Sequence, residues 1–236
     1  DVLTQSYARG FCGIWFGCNP LDPPYHWKYS GGLGTYPQQH APIAVYRTDV
    51  ERTYFVFGGP GSEPAPADYR PQGGEVPGHT AACISYFDHR TGRLARPVQL
   101  LARDLIDAHE NPVLCIDPVG HLLVFCPSHG SKRPAYLLRS RQPHDLASWH
   151  LVKTWPPGDN FSYPQPWWIE GSGCVLLHTF YEYLAGGACR RLGVTGSPDG
   201  LDWSAWDEKV FISRMAHGNY QISWPLPGPS PVGVAT

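Results

Sequence analysis

An all-β fold is the class this sequence predicts, and three observations predict it. Val, Ile, Leu, Phe and Tyr gather in short runs of roughly four to eight residues between turn residues. The chain carries 26 Gly and 25 Pro among 236 residues, and they alternate with those runs, as turns between strands do. No stretch shows the period of an amphipathic helix convincingly.

The elements follow in order. Residues 41–46 and 53–57 are β-rich runs around a polar turn. Residues 81–87 come next, then a turn at 89–92, then 94–101. The stretch 101–108 reads either as one turn of helix or as the crossing to the next group. A second group comprises 112–116, 121–126, 134–140 and 149–153, with a turn at 117–120. The third comprises 165–169, 174–181, 191–195 and 207–211, and a fourth starts at 220–224. Four strands recurring every 40–55 residues or so predict a β-propeller of four-stranded antiparallel blades. The blades are expected at 41–101, 112–153 and 165–211, with the start of another at 218–236, in one partial propeller domain over 1–236. A ring needs about four blades or more. The expectation is therefore that a further segment or a second chain completes it.

The turn Ser197-Pro-Asp-Gly-Leu-Asp-Trp203 fits this architecture. Asp199 is suited to bonding nearby backbone N–H groups, Gly200 to a positive φ, and Trp203 to plugging the gap between strands. Such a turn supports the fold and says little about chemistry.

Composition narrows the function classes. Eighteen Lys and Arg oppose 20 Asp and Glu, a net charge of −2, which argues against a nucleic-acid partner. No run is long enough to span a membrane. Nine Trp and 13 Tyr suit a core, and also suit stacking on sugar rings. The seven cysteines are Cys12, Cys18, Cys83, Cys115, Cys126, Cys174 and Cys189. An odd number leaves at least one outside any internal pairing, and no zinc-ribbon spacing is present. Cys115 and Cys126 fall on neighbouring strands; buried thiols are the expectation, a disulfide the alternative. Residues 1–10 lack the charged and apolar regions of a signal peptide, so a secreted or periplasmic protein would carry its signal outside this chain.

Several motifs are specific in wording and order. They are Tyr29-Ser-Gly-Gly-Leu-Gly-Thr-Tyr36 with Gln39-His-Ala-Pro42, Asp107-Ala-His-Glu-Asn-Pro112, Ser128-His-Gly130 with Arg133-Pro134, Asn160-Phe-Ser-Tyr-Pro-Gln165 and Gly218-Asn-Tyr-Gln221. In this order the chain resembles the BNR-4 repeat proteins, and within them the ulvan lyase-type polysaccharide lyases. The resemblance implies a seven-bladed propeller of which about half is present. It implies two cleft histidines, His109 and His129, and a proton-transferring tyrosine, Tyr163. The family then places an arginine on the next strand, where this chain reads Leu177-His-Thr-Phe180.

A lyase of this type acts on an acidic polysaccharide. It removes the uronate C5 proton and expels the oxygen at C4. The carboxylate must be neutralised, the proton accepted and the leaving oxygen protonated. His and Tyr suit the proton steps. His109 and His129 are assigned as base and carboxylate partner, in either order, and Tyr163 as donor or co-base. Asn111 and Arg133 are candidates to hold the carboxylate, with Arg190 and Arg191 behind them. Trp167 and Trp168 are adjacent on a strand and face opposite ways, so one is expected in the core and the other as a sugar platform. Lys28, His40, His178, Tyr220 and Gln221 complete the binding candidates. The elimination requires no catalytic cofactor. The resemblance implies a structural metal ion, zinc or calcium; His178 and His217 are candidates, and no complete ligand set is visible.

Two alternatives compete. A glycoside hydrolase would need two carboxylates across a cleft, and Asp107, Glu110 and Glu182 are available. A non-catalytic carbohydrate-binding propeller would need neither.

Overall fold

The computed structural model describes residues 2–3, 40–60, 76–129, 133–157, 161–184, 187–203 and 209–215. The regular secondary structure among these residues is almost wholly antiparallel β, so the all-β, propeller-type expectation holds. No helix among them is long and apolar enough to cross a membrane. The chain divides into two compact units, one of residues 1–36 and 43–112, the other of 37–42 and 113–236.

The first unit is a six-stranded sheet. Its strands are β1 (Val2–Leu3), β2 (Ala44–Arg47), β3 (Arg52–Pro60), β4 (Val76–Asp88), β5 (Arg93–Ala95) and β6 (Val98–Ile106). The order is β1-β5-β4-β3-β2, and β6 also pairs with β4. The long β4 serves two partners in succession: Phe87 and Asp88 pair with β5, and Val76 to Ile84 pair with β6. Alternation puts Tyr54, Val56 and Ile84 almost wholly out of solvent. The stretch 101–108 is therefore mostly strand, and its helical character is confined to a 3-10 turn at Ala108–Glu110.

The second unit holds two four-stranded meanders. One is β7 (Val113–Ile116), β8 (Leu122–Cys126), β9 (Ala135–Ser140) and β10 (Trp149–Trp155), paired in that order. The other is β11 (Ser162–Ile169), β12 (Gly173–Leu184), β13 (Gly187–Ser197) and β14 (Lys209–Met215). Every residue of β7 and β8 is buried, because both faces of these strands are covered. The two sheets share a core of Cys115, Leu123, Phe125 and Leu137 from one and Cys174 and Leu176 from the other. Trp203 closes it, with its ring edge-on to Phe125 at 5.7 Å between centroids.

Two aspartates shape the turns of this unit. Asp117 accepts from the backbone N–H groups of Gly120 and His121, and from the Arg139 guanidinium at 3.0 Å. Burial pushes its carboxyl up, but these bonds outweigh burial and hold it below the usual aspartate value. Asp199 accepts from the N–H groups of Leu201 and Asp202, and these bonds lower its carboxyl likewise. Gly200 has φ 75°, as the sequence of this turn leads one to expect, and Trp203 donates its indole N–H to the Gly200 carbonyl.

Candidate functional site

In the first unit, the chain leaving β6 turns sharply at Asp107. The Asp107 carboxylate accepts from the backbone N–H of His109 at 3.0 Å and lies 2.6 Å from His109 Nδ1. A carboxylate two residues before a histidine can reach both groups, a local closure that short acidic side chains favour. The ring is thereby held as the tautomer with the proton on Nδ1, which makes Nε2 the basic nitrogen of neutral His109. His109 is buried, and so are Glu110 and Asn111. Glu110 is ion-paired with Arg103 at 3.2 Å, with both side chains out of solvent. Asp107 and Glu110 are thus engaged as partners of a histidine and an arginine. That weakens them as the two carboxylates of a hydrolase.

In the second unit, three chain segments converge. Leu114 at the start of β7 donates its N–H to the Pro42 carbonyl at 2.9 Å, which brings 40–42 alongside that strand. Ser128, two residues beyond β8, donates its N–H to the Phe161 carbonyl at 2.9 Å. Ser162 returns the favour, its hydroxyl donating to the Ser128 carbonyl at 2.8 Å. This reciprocal clasp fixes the backbone next to His129 against the backbone next to Tyr163. His129 itself is half-buried, and its carbonyl accepts from the Arg133 guanidinium at 3.2 Å.

Tyr163 sits on a β-bulge. Ser162 pairs with Thr179 and Gln165 with Leu177, so Tyr163 and Pro164 together face the single residue His178. Tyr163 has φ 53°, a left-handed conformation that a bulky residue adopts only when its surroundings compel it. The His40 ring meets the Tyr163 ring edge-on at 5.9 Å. His40, Tyr163 and His178 are all buried. His178 lies between Phe161 at 4.7 Å and Phe180 at 5.9 Å, and Phe161 in turn stacks on Trp155 at 4.2 Å.

The remaining expectations divide as follows. Trp168 packs against the shared core, which leaves the half-buried Trp167 on the opposite face of β11. Arg191 is half-buried on β13, across the ladder from Phe180. Lys28, His217, Tyr220 and Gln221 lie outside the described residues, as does the blade expected at 218–236. The side chains of Glu182 and Arg190 lie outside them too. The surroundings of His178 are aromatic rings, and among the described residues it joins no set of three metal-ligating side chains. Three contributors were not singled out from the sequence for these roles: Asp107 as partner of His109, Ser128 and Ser162 as the clasp. The Asp-x-His spacing was the one available signal.

The comparisons with known proteins bear on the fold. No protein-family profile matches the chain, and no curated protein matches it. Solved structures do, among them two of an ulvan lyase described as a new family of polysaccharide lyase, PL25. Each aligns with a TM-score of 0.55, at 14% identity for the one bound to -[GlcA(1-4)Rha3S]- and 15% for the other. Each alignment covers 86% of this chain and 46% of the other, so the chain spans about half the length of the structures it matches. At this identity the likeness shows a shared fold.

Proposed function

We propose that this protein is a carbohydrate-active enzyme, and more narrowly a polysaccharide lyase that cleaves a uronate-containing polysaccharide, ulvan-like or rhamnose–glucuronate, by β-elimination. The observation that carries the reading is the 2.6 Å contact between Asp107 and His109, which readies a buried histidine as a base. The fold shared with an ulvan lyase supports it, as does the ordered set of motifs that resembles the BNR-4 repeat proteins.

His109 accepts the C5 proton at Nε2, and the Asp107 carboxylate offsets the charge the ring then carries. His129 and Asn111 hold the uronate carboxylate, with the Arg133 guanidinium adding positive charge beside His129. The electron pair of the C5–H bond becomes the C4–C5 double bond, and the C4–O bond breaks toward oxygen. Tyr163 gives its phenolic proton to that oxygen. The bulge and the clasp hold the phenol in one place, so little ordering is left for the reaction to supply. Trp167 is a stacking platform for a neighbouring sugar, with Lys28, Tyr220 and Gln221 as further contacts. Secretion belongs to the same proposal, because the polymer lies outside the cell.

The test is to incubate the protein with ulvan and with glucuronan and follow the ultraviolet absorbance of unsaturated uronate. A rise with time is expected. New reducing ends without that absorbance would mean hydrolysis and overturn the reading. His129→Ala should abolish the rise while circular dichroism stays unchanged, and undiminished turnover in that variant would remove His129 from the site.

A further inference from the structure

The two sheets of the second unit meet differently at their two ends. At one end the Ser128–Phe161–Ser162 clasp joins them by hydrogen bonds. At the other, Cys115 near the end of β7 and Cys174 near the start of β12 bring their sulfurs to 4.0 Å. Both side chains are out of solvent, Cys174 completely. The approach is built in. Gly173 has φ 84°, and a side chain there would collide with the Ser197 carbonyl and Pro198, so the β13 turn closes tightly over the start of β12. Leu123, Phe125 and Trp203 pack around the two thiols. Cys126, the other candidate partner of Cys115, is off register: Cys115 pairs with Leu123, and Cys126 with Tyr136 on the far side of β8.

We propose that Cys115 and Cys174 are a disulfide site, closed when the chain folds in an oxidising medium, and that the bond cross-links the two sheets at the end remote from Tyr163. For the bond to close, the sulfurs must approach from 4.0 Å to about 2.05 Å. The oxidant is a small-molecule disulfide. One cysteine thiolate attacks it, forms a mixed disulfide and releases one thiol. The second cysteine thiolate attacks the protein-bound sulfur and releases the other thiol. Two protein thiols are oxidised, one small disulfide is reduced to two thiols, and the protons leave on those thiols. Burial makes the finished core inaccessible to the oxidant, so the bond forms during folding.

The experiment is to refold the protein from denaturant in a glutathione redox buffer and, in parallel, in reductant alone. Each product is denatured, alkylated and mapped by peptide mass spectrometry. The expected result is a linked peptide pair containing Cys115 and Cys174, with both residues unalkylated, in the oxidised sample only. The oxidised form should also melt several degrees higher, a difference that Cys115→Ala and Cys174→Ala each erase. Full alkylation of both residues after oxidative refolding would overturn the proposal, and so would either of them linked to a different cysteine. The mapping uses the native sequence, so it does not depend on either variant folding. It also needs no substrate, and its outcome is independent of the lyase reading.

Discussion

His109 and Tyr163 are held by opposite means. His109 is oriented by another side chain: one carboxylate binds both its ring and its own backbone N–H. Tyr163 is oriented by its backbone: a bulge, a left-handed φ of 53° and a clasp made one residue away. The difference matches the work proposed for each. A base must present a chosen nitrogen and carry a transient positive charge, and an adjacent carboxylate serves both needs. A phenol that gives up a proton gains nothing from a carboxylate beside it, since that would oppose the phenolate. Position is what it requires, and backbone geometry supplies position without charge.

The sharpest way to break this contrast is Asp107→Asn. An amide can donate to Nδ1 and so favour the tautomer with the proton on Nε2, which cannot accept another there. Turnover should fall by about 10²-fold or more, with polysaccharide binding little changed. Steady-state kinetics with the unsaturated product as readout would check it. Turnover kept at the native level would mean that the carboxylate is a structural turn and nothing more.

How much of this was legible in the sequence depends on distance along the chain. The runs 112–116 and 121–126 mark β7 and β8 closely, because both strands are buried on both faces and read as continuous apolar stretches. β4 was legible only over its apolar half. Its first residues, Val76-Pro-Gly-His-Thr80, carry a proline and a glycine that read as turn, yet they pair with β6. The motifs marked His109, His129 and Tyr163, and Asp107 lay within sight of His109. The clasp was not legible, since its partners stand 34 positions apart and serines carry no signal of their own. Nor was the bulge, which exists only in the register of β11 against β12.

Asp117 offers a control, a carboxylate that holds a turn and no proposed reacting group. Its bonds to backbone N–H groups and to Arg139 keep it below the usual aspartate value despite burial. A depressed folded-state pKa stabilises the fold above the ordinary aspartate pKa, and that contribution is lost as pH falls through the lower folded value. Asp117→Asn should cost about 2 kcal/mol near neutral pH and flatten the acid limb of the stability curve. Urea unfolding across the acid range would measure both, and an acid limb identical to that of the native protein would assign the acid sensitivity elsewhere.

The smallest expected effect bears most directly on Tyr163. Ser162→Ala removes the hydroxyl that donates to the Ser128 carbonyl but keeps the backbone bond from Ser128 to Phe161. The cost should be about 1 kcal/mol of stability, the usual worth of one hydrogen bond. Turnover is the more telling readout. If the clasp positions the phenol, kcat should drop about tenfold with KM unchanged, because small misplacements of a reacting group act on the chemical step rather than on binding. An unchanged kcat beside the expected loss of stability would show that the bulge alone holds Tyr163. The contrast with His109 would then rest on a single strained residue rather than on two cooperating segments.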